Sequence, residues 1–327
     1  MAGLGNAIMD ALVRIDDDQV LQELGLQRGQ MQPVDHGGWH FAYERVHDLG
    51  VEVHSGGSCA NVIATAGLLG SRACFLGQVG DDRFGDLYGG SLRDACGDHA
   101  LHVVPGRVTG KCLSLISRRD AERTMLTDLG TSVELRDLGS FADTIRRARV
   151  LHIEGYGFLG GPVKEAVKDG IAIARAAGVP VSLDIADPFV ARICGEEINA
   201  LLASGAVHIG FFNREEAEIL TGKGAWTAVE ELAERVEIAV VKLGAEGSLV
   251  RRGGETHKIP AFPTRVLDTT GAGDSYAGAF LHAWVRGAPL DRCGNLASRV
   301  AALVVGQVGA VCRDRDALRR ASVEAAS

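Results

Sequence analysis

The sequence predicts an α/β fold of three α/β/α layers around a mostly parallel central sheet. Two observations carry this. From Arg149 onward, short apolar runs of β character alternate with longer helical stretches, the pattern of a parallel sheet covered on both faces. The 327 residues contain no internal repeat and no Pro/Ser-rich linker, so a second unit is inserted into the first rather than appended.

The elements follow in order. Residues 2–9 form a short apolar run ending in Asp10, a strand feeding a loop. Residues 14–53 lack one strong period, but hold a helical stretch at 38–48 and an alternating strand at 51–54. A helix over 58–69 follows, with Ser58 as its expected cap. Next come a buried strand at 73–80, a helix at 87–96, and strands at 101–104, 111–117 and 123–127. The regular part has strands at 149–153, 179–184, 207–212 and 238–242. Between them lie helices at 163–177, 193–204 and 214–220. An apolar run ends at Leu267 as a strand end, and helices at 275–284 and 291–308 close the chain before a frayed tail at 321–327.

Composition excludes several classes. Hydrophobic residues make up 46%, far from a disordered chain. A net charge of −8 argues against nucleic acid or an anionic membrane as partner. No run approaches spanning length. The seven cysteines are odd in number and form no C-x-x-C pair, which suits free thiols in a reducing, cytoplasmic setting. Gly3 and Gly5 lack the third glycine of a dinucleotide fingerprint, so a dehydrogenase is disfavoured. The segment from Gly106 to Gly110-Lys111-Cys112 mimics a P-loop, but is one residue short and lacks the Ser or Thr.

The chemistry concentrates at Asp268-Thr269-Thr270-Gly271-Ala272-Gly273-Asp274-Ser275. Gly271-Ala272-Gly273 opens a helix, whose first N–H groups have no internal partner and attract anions. Asp274 sits in that first turn. It either complements the helix dipole or acts as a general base beside an anion hole. Elsewhere the bland and functional readings also stand side by side. Asn6 and Asp10 bracket a strand end where turn chemistry or ligand contact is expected. Tyr156 and Phe158 are either core aromatics or a wall for a stacked base. His54 is more simply structural.

The eight-residue stretch resembles the C-terminal signature of the ribokinase (PfkB) family of carbohydrate and nucleoside kinases. Three further stretches support the resemblance in order: Gly56-Gly57 with Asn61, Asn213 with Glu216, and Lys242 to Gly247. It runs from Gly3 to about Ala310 and implies a ribokinase-like fold with a small β-sheet lid. The expected partition is 1–10, 55–100 and 130–320 for the large domain, and 11–54 with 101–129 for the lid.

The resemblance also implies roles. Asp274 would deprotonate a primary hydroxyl and the Gly271, Ala272 and Gly273 backbone would stabilise the transferring phosphoryl group. Asn6, Asp10, Gly56, Gly57, Asn61 and Tyr156 would bind the acceptor. ATP would meet Asn213, Glu216, Lys242, Gly244, Gly247 and Thr270. Mg²⁺ would be organised by Glu216 through water. A monovalent cation such as K⁺ would lie between Asp268–Thr270 and the glycine turn at 306–310. Gly5-Asn6 to Asp10, Glu154-Gly155-Tyr156 and Glu122-Arg123-Thr124-Met125 resemble the bacterial adenosine-kinase-like branch, so adenosine and its 5′-hydroxyl come first. The alternatives are a ribokinase- or fructokinase-type sugar kinase, and a catalytically silent nucleoside-binding protein on the same fold. Monomer and lid-paired homodimer are both open.

Overall fold

The computed structural model describes residues 1–96, 98–120 and 122–326. Its strands are β1 (Ala2–Leu4), β2 (Ile8–Ile15), β3 (Met31–Pro33), β4 (Glu52–Gly56), β5 (Cys74–Gly80), β6 (His99–Val104) and β7 (Gly110–Ser117). They continue with β8 (Arg123–Asp128), β9 (Leu151–Glu154), β10 (Val181–Asp184), β11 (Ile209–Asn213), β12 (Ile238–Lys242), β13 (Ser248–Arg252) and β14 (Glu255–Ile259). The large sheet runs β14-β13-β12-β11-β10-β9-β1-β5-β6, parallel throughout except for the antiparallel pairs that β13 makes with β12 and β14. The small sheet runs β3-β8-β7-β2-β4. The ribokinase-like architecture is the one expected.

The period-2 alternation of the strands sorts the core into two faces. Leu151, Ile153, Val181, Leu183 and Phe212 pack with the helices Pro162–Ala176 and Pro188–Ala203. Ile209, Phe211, Ile238 and Val240 face the other way, onto Ala272–Trp284 and Leu290–Val305. In the small sheet Val13, Leu113, Leu115 and Leu126 cover Trp39, Ala42 and Val46 of the helix His36–Val46. Among the described residues no helix is long and apolar enough to cross a membrane, and all seven cysteines are free.

Several expectations are corrected. The run 2–9 is not one strand: β1 ends at Leu4, and Ile8 to Asp10 already belong to the small sheet. Gly5-Asn6-Ala7 is the break between the sheets. β6 pairs with β5 in the large sheet, so residues 101–104 are not lid. The tail from Ala321 to Ala326 is not frayed but continues the helix Arg315–Ala326, because Leu318 and Ala321 bury themselves in the core. Val266 and Leu267 end no strand; both are exposed in an irregular segment. The β13–β14 hairpin was not anticipated. Helices Arg83–Cys96 and Pro188–Ala203 begin earlier than periodicity suggested, and Leu290–Val305 ends sooner.

Two positions require glycine. Gly247 turns β12 into β13 at φ 91°, and a Cβ there would lie 1.9 Å from the Ile259 carbonyl oxygen. Gly271 caps the Ala272–Trp284 helix at φ 69°, with a notional Cβ 2.3 Å from the Ala310 carbonyl oxygen.

Lys111, the lysine of the P-loop mimic, lies within β7 and is buried. Its ammonium donates to Asp128 Oδ2 at 2.7 Å and sits 5.2 Å from the Trp39 ring. It is a lid-core cation. Asp128→Ala leaves that charge buried with only the His36 ring nitrogen, 3.0 Å away, to bond to, and should cost about 3–5 kcal/mol. The urea midpoint measures it; a loss under about 1 kcal/mol would mean the ammonium finds water instead.

Candidate active site

The C-terminal ends of the parallel strands converge on one place, as open α/β sheets require. β9 ends at Glu154, β10 at Asp184, β11 at Asn213 and β12 at Lys242. The N-terminus of the Ala272–Trp284 helix lies over them. Ser275 N–H closes the first turn on Gly271 O at 2.8 Å, and Ala272 N–H turns back to Thr269 O at 3.3 Å. The N–H groups of Gly271, Gly273 and Asp274 meet no acceptor among the described residues. These are free donors at the positive end of a helix.

Asp274 is fixed at both oxygens. Ser58 Oγ donates to Oδ1 at 2.8 Å and Asn61 Nδ2 to Oδ2 at 2.9 Å. Burial raises its pKa above the ordinary value, opposed by the Asn61 and Ser58 hydrogen bonds, while Asp184 pushes it up further. Such a carboxylate accepts a proton more readily than an exposed one. Ser58 therefore does not cap its own helix: Gly57 is the N-cap, and it makes no side-chain cap bond. Asn61, expected on a sugar hydroxyl, has Asp274 as its recorded partner.

Asp10 is half-buried, and its carboxylate accepts no hydrogen bond from the described residues. Desolvation pushes its pKa up to about 7, with Arg123 opposing and Asp274 and Asp268 adding to the rise. Gly56 makes room for it: a Cβ there would lie 2.1 Å from Asp10 Oδ2. Asn6 is buried, and its Oδ1 is unpartnered. Gly57, at φ 88°, packs against the Asn6 carbonyl.

Below the helix N-terminus lies a second charged group. Lys242 Nζ donates to Asp184 Oδ2 at 2.7 Å and would lie 3.1 Å from a Cβ at Gly273. Burial alone would lower the ammonium's pKa, but Asp184 and Glu216 more than offset it. Asn213 and Glu216 form a capping box: Asn213 N–H donates to Glu216 Oε2 at 2.6 Å, Asn213 Nδ2 to Oε1 at 2.7 Å, and Glu216 N–H returns to Asn213 Oδ1 at 2.9 Å. Burial holds Glu216 above its ordinary pKa despite Lys242. Among the described residues no nest of three or more acidic, His or Cys side chains could hold a metal directly. The donor set still fits Mg²⁺: hard carboxylate oxygens beside an anion site, with coordination completed by phosphate and water.

Asp268 stitches two loops. Oδ1 accepts from Thr270 N–H at 2.9 Å and from the Thr270 hydroxyl; Oδ2 accepts from Gly309 N–H at 3.1 Å. Burial would raise its pKa, but these bonds bring it below the usual value. Gly244 and Gly247 flank the exposed Gly244–Glu246 turn, which is also the β12–β13 hairpin connection. Tyr156 is half-buried on the turn Gly155–Phe158 and donates to Asp187 Oδ2 at 3.0 Å. Phe158 is a core residue, 2% exposed, and forms no wall.

Sequence reasoning missed four side chains. Ser58 and Asp184 carried no motif signal beyond position. Glu154 stands in the Glu154-Gly155-Tyr156 stretch of the resemblance, at a ligand-facing strand end, but carried no role of its own. Arg123 was noted only for its neighbours; its guanidinium reaches from β8 to donate to Thr270 Oγ1 at 2.6 Å, joining the lid to the helix N-terminus.

A family model described as "pfkB family carbohydrate kinase" matches residues 37–314. The chain belongs to the PfkB family of carbohydrate kinases, and is an ATP-dependent phosphotransferase. The adenosine kinase of Sinorhizobium meliloti is 33% identical, with TM-score 0.90, over 99% of this chain and 98% of that one. A probable sugar kinase from Rhizobium etli CFN 42 is 31% identical, with TM-score 0.89, over the same shares. The 5-dehydro-2-deoxygluconokinase of Shouchella clausii is 31% identical over 262 residues, 77% of this chain and 80% of its own length.

Asn61→Ala removes a donor to the ionised form of Asp274. Its pKa should rise further, moving the acid limb of the pH–rate profile upward. A carboxyl NMR titration of Asp274 reads the same shift without turnover; an unchanged or lowered value would contradict the assigned hydrogen bond.

Proposed function

We propose that this protein transfers the γ-phosphoryl group of ATP to the primary hydroxyl of a nucleoside, adenosine first. The observation that carries the chemistry is Asp274, with both oxygens fixed, beside the unpartnered N–H groups of the same helix turn. Asp274 takes the hydroxyl proton as the oxygen attacks in line, and the N–H groups of Gly271, Gly273 and Asp274 meet the charge that develops. Lys242 lies beside that turn and adds positive charge. Mg²⁺, held through water by Glu216, would supply further charge neutralisation to the phosphates. Asp10 and Asn6 present unpartnered oxygens to vicinal hydroxyls, in the gap kept open by Gly56 and Gly57. Asn213, Gly244 and Gly247 lie on the side assigned to the nucleotide. The small sheet serves as the lid that excludes water.

The nucleoside reading is supported by the likeness to an adenosine kinase over nearly the whole chain. A sugar or sugar acid is the second reading, supported by the 5-dehydro-2-deoxygluconokinase and by Arg123, a cation near Asp10 and able to meet a carboxylate. Phe158 offers the base no wall, which leaves Tyr156 alone. The free cysteines support a reducing, cytoplasmic setting. Asp268 and Thr270 remain the place proposed for a monovalent cation.

ADP release with ATP–Mg²⁺ should appear with adenosine, and be weak with ribose, fructose and 5-dehydro-2-deoxygluconate. Turnover with the sugar acid alone would replace the acceptor and keep the chemistry. Asp274→Asn should lower kcat by about 100- to 10,000-fold in a folded protein; near-normal kcat would remove Asp274 as the base.

The pH dependence separates binding from chemistry. As pH falls through about 7, Asp10 takes up a proton and gives up an accepting oxygen. The acceptor KM should therefore rise on the acid side, and Asp10→Asn should abolish this dependence. A pH-independent acceptor KM in the unmodified protein would place Asp10 away from the acceptor.

A further inference from the structure

The chain crosses between the two sheets four times: after β1, after β4, after β6 and after β8. The first two crossings meet at one side chain. Glu154, at the end of β9 and 1% exposed, accepts the Asn6 N–H on Oε1 at 2.8 Å and the Cys59 N–H on Oε2 at 2.7 Å. Asn6 lies in the three-residue passage from β1 to β2. Cys59 is two residues beyond Gly57, where the chain from β4 enters the helix Ser58–Leu68. The two passages also touch directly, since a Cβ at Gly57 would lie 2.4 Å from the Asn6 carbonyl oxygen. Packing around the carboxylate is tight: a Cβ at Gly5 would lie 2.9 Å from Glu154 Cδ and 2.6 Å from Cys59 Cβ.

We infer that Glu154 is the hinge pin of the lid: a positioning residue that ties both acceptor-side crossings to the rigid large sheet. The acceptor groups of the proposed function flank these crossings. Asn6 is on one, Asp10 is four residues further along β2, and Ser58 and Asn61 bracket Cys59. A carboxylate is the side chain that suits the position, because two converging N–H groups need two acceptors and no donor. Each bond is shielded from water, and is charge-assisted while Glu154 is ionised. Loss of one therefore frees a backbone passage rather than a surface contact. With the pin in place, lid movement turns about a fixed line through residues 6 and 59, and carries Asp10 toward Asp274 without moving the helix N-terminus.

The test uses Glu154→Gln and Glu154→Ala in the full chain. Glutamine keeps one accepting oxygen and opposes the other N–H with an amide donor, so it should give an intermediate effect. Hydrogen exchange, which needs no turnover, should quicken at residues 5–15 and 52–59 while 209–213 stay protected. This arm stands apart from the proposed reaction. The kinetic arm rests on that reading: the acceptor KM should rise about 10-fold in Glu154→Gln and more in Glu154→Ala, with the KM for ATP within about twofold. The penalty should persist with every deoxy analogue of the acceptor. If it disappears with one analogue, Glu154 contacts that hydroxyl directly and the pin is wrong. If melting temperature falls while exchange rises uniformly and both KM values hold, Glu154 is only a core residue. A dead enzyme with the exchange pattern as expected would sink the reaction reading and leave the hinge standing.

Discussion

The rest of the site depends on an electrostatic constraint: five acidic side chains are gathered around one helix N-terminus. Glu154, Asp184 and Glu216 are buried outright and Asp10 and Asp274 half-buried, so negative charge gathered here needs compensation. The fold supplies compensation of three kinds. Backbone N–H groups serve Glu154, amide and hydroxyl side chains serve Asp274, and the Lys242 ammonium serves Asp184 and Glu216. Asp10 receives none of these directly, and it is the group with an accepting face left over.

Different compensation gives the carboxylates different properties. Asp268, with three donors, stays below its ordinary pKa and holds two loops together. Glu154 has two donors in a drier place and rises to about 7, with burial outweighing them. Asp274 is raised too, yet its orientation is fixed by Ser58 and Asn61. Similar acids are thus set apart by their surroundings, Asp268 as a stitch between loops, Glu154 as a tie to two backbone N–H groups and Asp274 as the proposed base.

Much of this was legible in the sequence. The Gly271–Asp274 turn, the Gly56-Gly57 pair and the Asn213–Glu216 box are local patterns, and each folds where its own residues dictate. The parallel half followed from the alternation of apolar strands with helices. What was not legible depends on distant pairing. Gly5-Asn6 can end a strand, but nothing local says that Ile8 onward joins another sheet; the change of sheet is made by partners at Leu76 and Gly110. The placement of β6 follows from its ladder to β5, not from composition. Ser58 reads as a cap until Asp274, more than two hundred residues later, arrives beside it. Glu154 and Arg123 act through contacts their neighbours in sequence do not announce.

The short β1 has a consequence for how the molecule is made. Ala2 pairs with Cys74 on one side and Leu151 on the other, so β1 lies between two neighbours synthesised well after it. Closing loops of that length before any contact is gained is entropically unfavourable, and local helices give β1 no help. The middle of the large sheet therefore has to wait for β9 to leave the ribosome, and until then Gly5-Asn6-Ala7 cannot meet Glu154. The small-sheet strands β2 and β4 can form their antiparallel pair before β9 exists, but their orientation over the large sheet is set only when β9 is in place. The order of synthesis thus leaves the acceptor side among the last parts to become ordered.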